Sequence, residues 1–153
     1  MVIEDDNIGD REFWTDVSRH WYSKASDMSP ETGRLYHHLA ILARPNAVQQ
    51  LFYYTKSLCI PIPFLSTQES IMKVFDPLLS NSAARLNPID GSFIRAHGIL
   101  FSGKSWDKLE DSMNGFNKNL DGHIANPNER WLEAGYYTAI TLTCSLPVCP
   151  ITK

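Results

Sequence analysis

Residues 33–64, GRLYHHLAILARPNAVQQLFYYTKSLCIPIPF, decide the fold of this chain. Each half places apolar side chains at the three- and four-residue spacings of one helix face. These positions are Leu35, Tyr36, Leu39, Leu42 and Ala43, then Leu51, Phe52, Tyr53, Tyr54 and Leu58. Pro45-Asn46 interrupts the pattern, because proline disfavours a helical conformation in the residue before it. Two helices with so short a connection pack antiparallel, so the stretch predicts a helical hairpin.

A repeated motif extends this hairpin to a repeat architecture. WYSKA at 21–25 and YYTKS at 53–57 lie 32 residues apart and share the order aromatic, tyrosine, hydroxyl, lysine, small. A period of this size is typical of tetratricopeptide solenoids, whose first helix carries an aromatic, then a leucine and a small residue. The residues that fit this first helix are Tyr36, Leu39 and Ala40.

Helical spacing continues on both sides of the hairpin. The predicted helices cover residues 11–28, 66–79, 93–101, 106–124 and 129–146. The first carries an aromatic stripe, and the second begins with a capping box made by Ser66 and Glu69 and is expected to end or bend at Asp76-Pro77. TAITLTC at 138–144 is β-branched, but no stretch alternates convincingly as a strand does. We predict an all-α fold of stacked antiparallel helical hairpins, a tetratricopeptide-like α-solenoid, over residues 11–146. Residues 1–10 are expected to be a disordered acidic leader and 147–153 a C-terminal tail.

The composition of the chain argues against several classes of protein. The chain has 153 residues and 43% apolar residues, enough for one domain with a core. It has no apolar run near the roughly 18 residues that a membrane helix needs. Three cysteines without a CxxC pair favour reduced thiols, as in the cytosol or nucleus. A net charge of -3 argues against a chain whose main task is to bind phosphate backbones.

The sequence GILFSGKS at 98–105 matches the P-loop pattern GxxxxGK[ST]. A P-loop needs a preceding strand and an open loop between its glycines. Here bulky apolar residues fill that interval, and a helix that ends at Gly103 explains them better. The P-loop enzyme stays an alternative with little support.

No other motif predicts catalysis or metal binding. The histidines lack HExxH or i,i+4 spacing, the cysteines add no ligand cluster, and no GxSxG elbow is present. We therefore expect no catalytic residues, no metal and no cofactor.

Binding is the more plausible role, because first helices line the concave surface of stacked hairpins. The predicted register turns four residues to that groove: Arg34, His37, Ile41 and Arg44. They would suit an acidic or extended peptide, or a phosphate backbone. The alternative for each is an ordinary solvated position. Four aromatic residues would suit stacking on nucleic-acid bases: Trp21, Tyr36, Tyr53 and Tyr54. Aromatic residues at helical spacing are, however, more commonly part of a core.

The central stretch resembles a known family. The matching segments, in order, are YSKASDMSPETGRLYHHLAILA, LFYYTKSLCIPIPF, FIRAHGILFSGKS and RWLEAGYYTAI, and they cover about residues 20–142. They resemble the helical domain shared by telomerase-associated Ever-Shorter-Telomeres proteins and the related nonsense-mediated mRNA decay adaptors. The resemblance implies an all-α scaffold of ribonucleoprotein complexes that is not catalytic in this region and has an attributed DNA- or RNA-binding role.

This resemblance sets the functional expectation. The family's phosphoserine pocket uses basic residues on helices before this stretch, and Arg19 does not match its basic motif, so that activity is not carried over. We expect the hairpin half of the family's helical region: a non-enzymatic adaptor in the nucleus or cytoplasm, without membrane contact. Its partners would be proteins of ribonucleoprotein complexes, with weak RNA or single-stranded DNA binding. A DNA- or RNA-binding module in its own right is the main alternative.

Overall fold

The computed structural model describes residues 3–80, 86–125 and 129–148. Its α-helices are α1 (Ile3–Met28), α2 (Gly33–Leu42), α3 (Ala47–Cys59), α4 (Thr67–Leu79), α5 (Pro88–Ser102), α6 (Leu109–Ala125) and α7 (Glu129–Val148), with a 3₁₀ helix at Trp106–Lys108. No strand occurs in these three ranges, and the TAITLTC stretch is part of α7. The all-α prediction is confirmed. Within the same ranges, no helix is long and apolar enough to cross a membrane.

The predicted hairpin is formed by α2 and α3. Asn46 caps α3, since its side-chain oxygen accepts a 3.1 Å hydrogen bond from the backbone N–H of Gln49. The apolar faces of both helices are buried, and Leu39 is only 2% exposed and Leu51 only 1%. The helical spacing of residues 33–60 therefore predicts both the helices and their buried sides.

The helices stack in chain order, and the last one folds back. α1 packs on α2, α3 contacts α4, and α5 packs against α4 and α6, while α7 lies against α3. The central hydrophobic core is drawn from α2, α3, α4 and α5: Ala40, Val48, Leu51, Tyr54, Ile71, Phe75, Leu78, Phe93 and Ile94. Stacked hairpins thus share one core, and α7 covers the side of α3 that α2 leaves open.

Gly33 allows the hairpin to meet the loop between α3 and α4. A Cβ atom there would lie 2.5 Å from the carbonyl oxygen of Ser57 and 2.6 Å from the amide nitrogen of Phe64. Its N–H donates a 2.8 Å hydrogen bond to the carbonyl of Ile62. Only glycine fits so close a backbone approach.

Three local expectations differ from the structure. α1 begins at Ile3, so residues 3–10 are helical rather than a disordered leader; no proline interrupts the helical pattern there. Ser66 makes no capping hydrogen bond, because its φ of -60° and ψ of -14° are helical instead of the extended geometry of an N-cap. Pro77 does not end α4, which continues to Leu79, the predicted last residue of this helix. Part of the predicted C-terminal tail, residues 147–153, is helical, because α7 includes residues 147 and 148. Residues 149–153 lie outside the described ranges.

Candidate partner-binding cleft

An open cleft of about 620 Å³ lies between α1 and the C-terminal end of α2. It is lined by Ile8, Arg11, Glu12, Thr15, Asp16, Arg19, Ile41, Leu42 and Arg44. The α1 residues share one helix face, because Ile8, Arg11, Thr15 and Arg19 are three or four residues apart and Glu12 and Asp16 lie next to two of them. The cleft thus combines three arginines and two carboxylates with an apolar edge.

The structure separates the four predicted binding residues. Ile41, which is 39% exposed, and Arg44 both line the cleft. Arg34 is exposed at the opposite end of α2, where its guanidinium carbon lies 6.0 Å from the centre of the Phe64 ring. His37 is buried, with 9% of its surface exposed, so the prediction that it faces a groove is wrong.

His37 instead belongs to a buried polar network. Its Nδ1 atom lies 2.9 Å from the hydroxyl of Thr67, which is 3.0 Å from the hydroxyl of Ser57. Ser57 in turn donates a 2.8 Å hydrogen bond to the carbonyl of Gly33. The helix face containing His37 points inward because Thr67 at the start of α4 offers it a polar partner, which helical spacing alone does not reveal.

Arg19 holds the two walls of the cleft together. Its Nη1 atom makes a 2.7 Å ion pair with Asp16, and its Nη2 atom donates a 2.8 Å hydrogen bond to the carbonyl of Leu42. The second bond satisfies one of the carbonyls that a helix C-terminus leaves without an intrahelical partner. Arg19 is therefore a structural clamp rather than a charge available to a ligand.

Arg11 and Arg44 supply the available positive charge of the cleft. Neither has a carboxylate partner among the described side chains. Arg44 is exposed, and its charge opposes the rise that burial causes in the pKa of Tyr54. An exposed guanidinium has five N–H donors that it can offer to an anion.

Sequence reasoning missed the α1 wall of the cleft, although a signal was present. Arg11, Thr15 and Arg19 recur at intervals of four residues, which places them on one helix face. The aromatic stripe of the same helix is the more prominent pattern in the sequence. The structure turns the arginine face toward α2.

The P-loop interpretation conflicts with the structure. Gly98 lies inside α5, where a Cβ atom would meet the Phe75 ring at 3.0 Å. Gly103 ends α5 in the left-handed conformation, with φ of 67°, as the helix-end reading predicts. Residues 98–102 thus form a helix and leave no open loop to surround a phosphate.

Cysteines and histidines form no alternative site in the residues that the structure describes. No group of three or more His, Cys, Asp or Glu side chains there is placed to hold a metal ion. Burial, together with the neighbouring Cys144 thiol, raises the pKa of Cys59 to about 12. A thiol with so high a pKa is a poor nucleophile at neutral pH.

Comparison with known proteins agrees with this architecture. The sequence model of the Est1 DNA/RNA binding domain matches residues 18–126. The chain is 38% identical over 61 residues, 39% of its length, to the telomerase-binding protein EST1A of Danio rerio. It is 28% identical over 102 residues, 62% of its length, to the nonsense-mediated mRNA decay factor SMG7 of Danio rerio. These stretches amount to only 4% and 9% of the two relatives.

The match to the family covers both helices of the hairpin, the central core and all of α6. It also includes Ile41 and Arg44 on the α2 wall of the cleft. Together with the all-α stack, it establishes that the chain belongs to the Est1 DNA/RNA binding domain family.

Proposed function

We propose that this chain is a non-enzymatic helical-repeat adaptor of telomerase-associated or nonsense-mediated mRNA decay complexes. Family membership carries the proposal, supported by relatives named for telomerase binding and for nonsense-mediated decay. An adaptor of this kind would act in the nucleus, the cytoplasm or both. Its recognition surface would be the cleft between α1 and the end of α2.

The chemistry of the cleft favours an extended acidic peptide. Arg11 and Arg44 stand on facing walls, and a guanidinium binds a carboxylate through two parallel hydrogen bonds. Ile41 adds an exposed apolar contact beside them. Because Arg19 is already paired with Asp16, the peptide would meet two available arginines instead of three.

Charge reversal in the cleft tests this role. The Arg11→Glu, Arg44→Glu double variant should no longer capture telomerase or mRNA-decay components from cell extract, as read by mass spectrometry. A matched double reversal uses two exposed residues outside the cleft, Arg34→Glu with Lys118→Glu. This variant should retain capture, because neither residue lines the cleft. Both variants should keep the wild-type circular dichroism, because exposed charges contribute at most about 1 kcal/mol. Capture lost equally in both variants, or in neither, would exclude the cleft.

Nucleic-acid binding is the second candidate, because the description of the family names DNA and RNA. The same two arginines would then contact phosphate groups. Fluorescence anisotropy with single-stranded oligonucleotides should show weak binding that falls steeply with salt, and the cleft variant should reduce the salt slope. Binding that does not depend on salt would argue against phosphate contacts.

A further inference from the structure

Helix α1 has its apolar face on the outside. The less exposed side chains of residues 8–28 are mainly polar, and two of them, Arg19 and Tyr22, contact α2 directly. The full set is Thr15, Val17, Ser18, Arg19, Tyr22, Ser23, Ala25 and Ser26. The opposite face exposes four large apolar residues: Phe13 at 60%, Trp14 at 63%, Trp21 at 63% and Met28 at 89%. An amphipathic helix normally buries the face that this one leaves in solvent.

The exposed residues form one continuous stripe. Trp14, Trp21 and Met28 follow one another at seven-residue intervals, which keeps them on one side of the helix. With about 150–250 Å² for each large side chain, the stripe exposes roughly 500 Å² of largely apolar surface. A continuous patch of this size is comparable to the largest apolar patch of a typical monomer, and such patches are often interaction surfaces.

The aromatic part of the stripe is symmetric about Val17, whereas Met28, eleven residues after Val17, has no apolar counterpart eleven residues before it. Phe13 and Trp14 form an edge-to-face ring pair with centroids 5.3 Å apart on one side, and His20 and Trp21 form a similar pair at 5.5 Å on the other. Phe13 precedes Val17 by four residues and Trp21 follows it by four. The two aromatic pairs are therefore equally far from the centre of the stripe.

Two charged residues of opposite sign are also placed symmetrically about Val17. Asp10 precedes Val17 by seven residues, and Lys24 follows it by seven. Both side chains are exposed, and the Lys24 ammonium lies 5.7 Å from the centre of the Trp21 ring. Two such helices side by side and antiparallel would bring Asp10 of each copy against Lys24 of the other. A parallel pair would place like charges together.

We propose that the α1 stripe is the interface of a two-fold symmetric homodimer, with the two α1 helices antiparallel and crossing near Val17. The same patch on both copies is self-complementary, as an isologous interface requires. Burying both stripes would remove roughly 1,000 Å² from solvent, the low end for specific interfaces. The dimer is therefore expected to be reversible, with a dissociation constant in the micromolar range. This proposal does not depend on the proposed function, because the cleft lies on the opposite face of α1.

Sedimentation equilibrium of the 153-residue chain between about 1 and 500 µM tests the proposal. The wild type should shift from monomer to dimer over this range, and Trp21→Glu should remain monomeric. Leu132→Glu is the matched control, since Leu132 is 64% exposed on α7, away from the stripe. This control should dimerise like the wild type. A wild type that stays monomeric at 500 µM would overturn the proposal and leave the stripe to a different partner.

A charge swap tests the antiparallel geometry without removing an aromatic side chain. Asp10→Lys alone and Lys24→Asp alone each create two like-charge contacts, so each should weaken the dimer about tenfold. The double variant Asp10→Lys, Lys24→Asp restores opposite charges and should recover wild-type association. Single variants that associate like the wild type, or a double variant no better than the singles, would exclude this arrangement. Circular dichroism should be unchanged in all three.

Discussion

The Nδ1 atom of His37 lies 2.9 Å from the hydroxyl oxygen of Thr67, 30 residues later in the chain. This contact joins α2 to the first residue of α4, and Ser57 extends it to the end of α3. One buried polar network thus ties together three helices at the end of the hairpin opposite the cleft.

We expect the chain to lose stability on mild acidification. Burial lowers the pKa values of His37, His38 and His97, so the native state binds fewer protons than the unfolded state, whose histidines titrate near pH 6.5. Stability from these groups is complete above pH 6.5 and falls as the pH drops below it. Urea denaturation should therefore give a lower free energy of unfolding at pH 5.5 than at pH 7.5.

The His37→Gln variant is the control for this pH dependence. With one buried histidine removed, its free energy of unfolding should change less between the same two pH values. An equal or larger pH dependence in the variant would show that His37 is not among the groups responsible.

The buried network predicts a specific cost for Thr67→Val. Thr67 is fully buried, and valine keeps its shape while removing the hydroxyl that His37 and Ser57 share. A buried polar group left without a partner costs about 1–3 kcal/mol, which chemical denaturation would measure. The neighbouring change Ser66→Ala should cost less than about 0.5 kcal/mol, because the Ser66 side chain makes no capping bond. Similar costs for both variants would contradict the network.

Two glycine substitutions should have opposite effects. Gly33→Ala places a Cβ atom within 2.8 Å of three backbone atoms, which cannot move aside as a flexible side chain can. The expected destabilisation is about 3 kcal/mol or more. Gly9→Ala on α1 meets nothing within 4 Å and should stabilise by about 0.5–1 kcal/mol, since alanine favours a helix. Thermal unfolding of both variants would check this; a tolerated Gly33→Ala would mean a looser hairpin joint.

The GILFSGKS stretch should bind no nucleotide. Its first five residues are part of α5, with Ile94 and Ile99 fully buried on that helix. Calorimetric titration with magnesium-ATP should show no saturable heat. Micromolar binding that disappears in Lys104→Ala would contradict both the helix end and the packing of α5 on α4.

Much of the architecture could be predicted because helical periodicity is a local property. The spacing of Leu39 and Leu51 predicts their burial, and Pro45-Asn46 marks the turn, without reference to the rest of the chain. The break at Gly103 was also predictable, since a left-handed residue is a local requirement of a helix end. The resemblance to the family followed from the same residues.

The candidate site was less predictable, because a helical pattern tells which residues share a face and not what that face meets. His37 looked solvent-facing, yet it is buried against Thr67. Arg34 and Arg44 were placed in one groove, yet only Arg44 lines the cleft. Arg11 was not predicted as a site residue, although it lines the same cleft as Arg44.

The sequence by itself determined an all-α chain, the α2–α3 hairpin, the helix end at Gly103 and the family. These depend on residue spacing and backbone preference within a few turns. Only the tertiary structure decided that α1 turns its polar side to α2 and its tryptophans to solvent, and that α7 returns to α3. Those outcomes depend on which surfaces compete for burial across the whole molecule, and the spacing within one helix does not encode them.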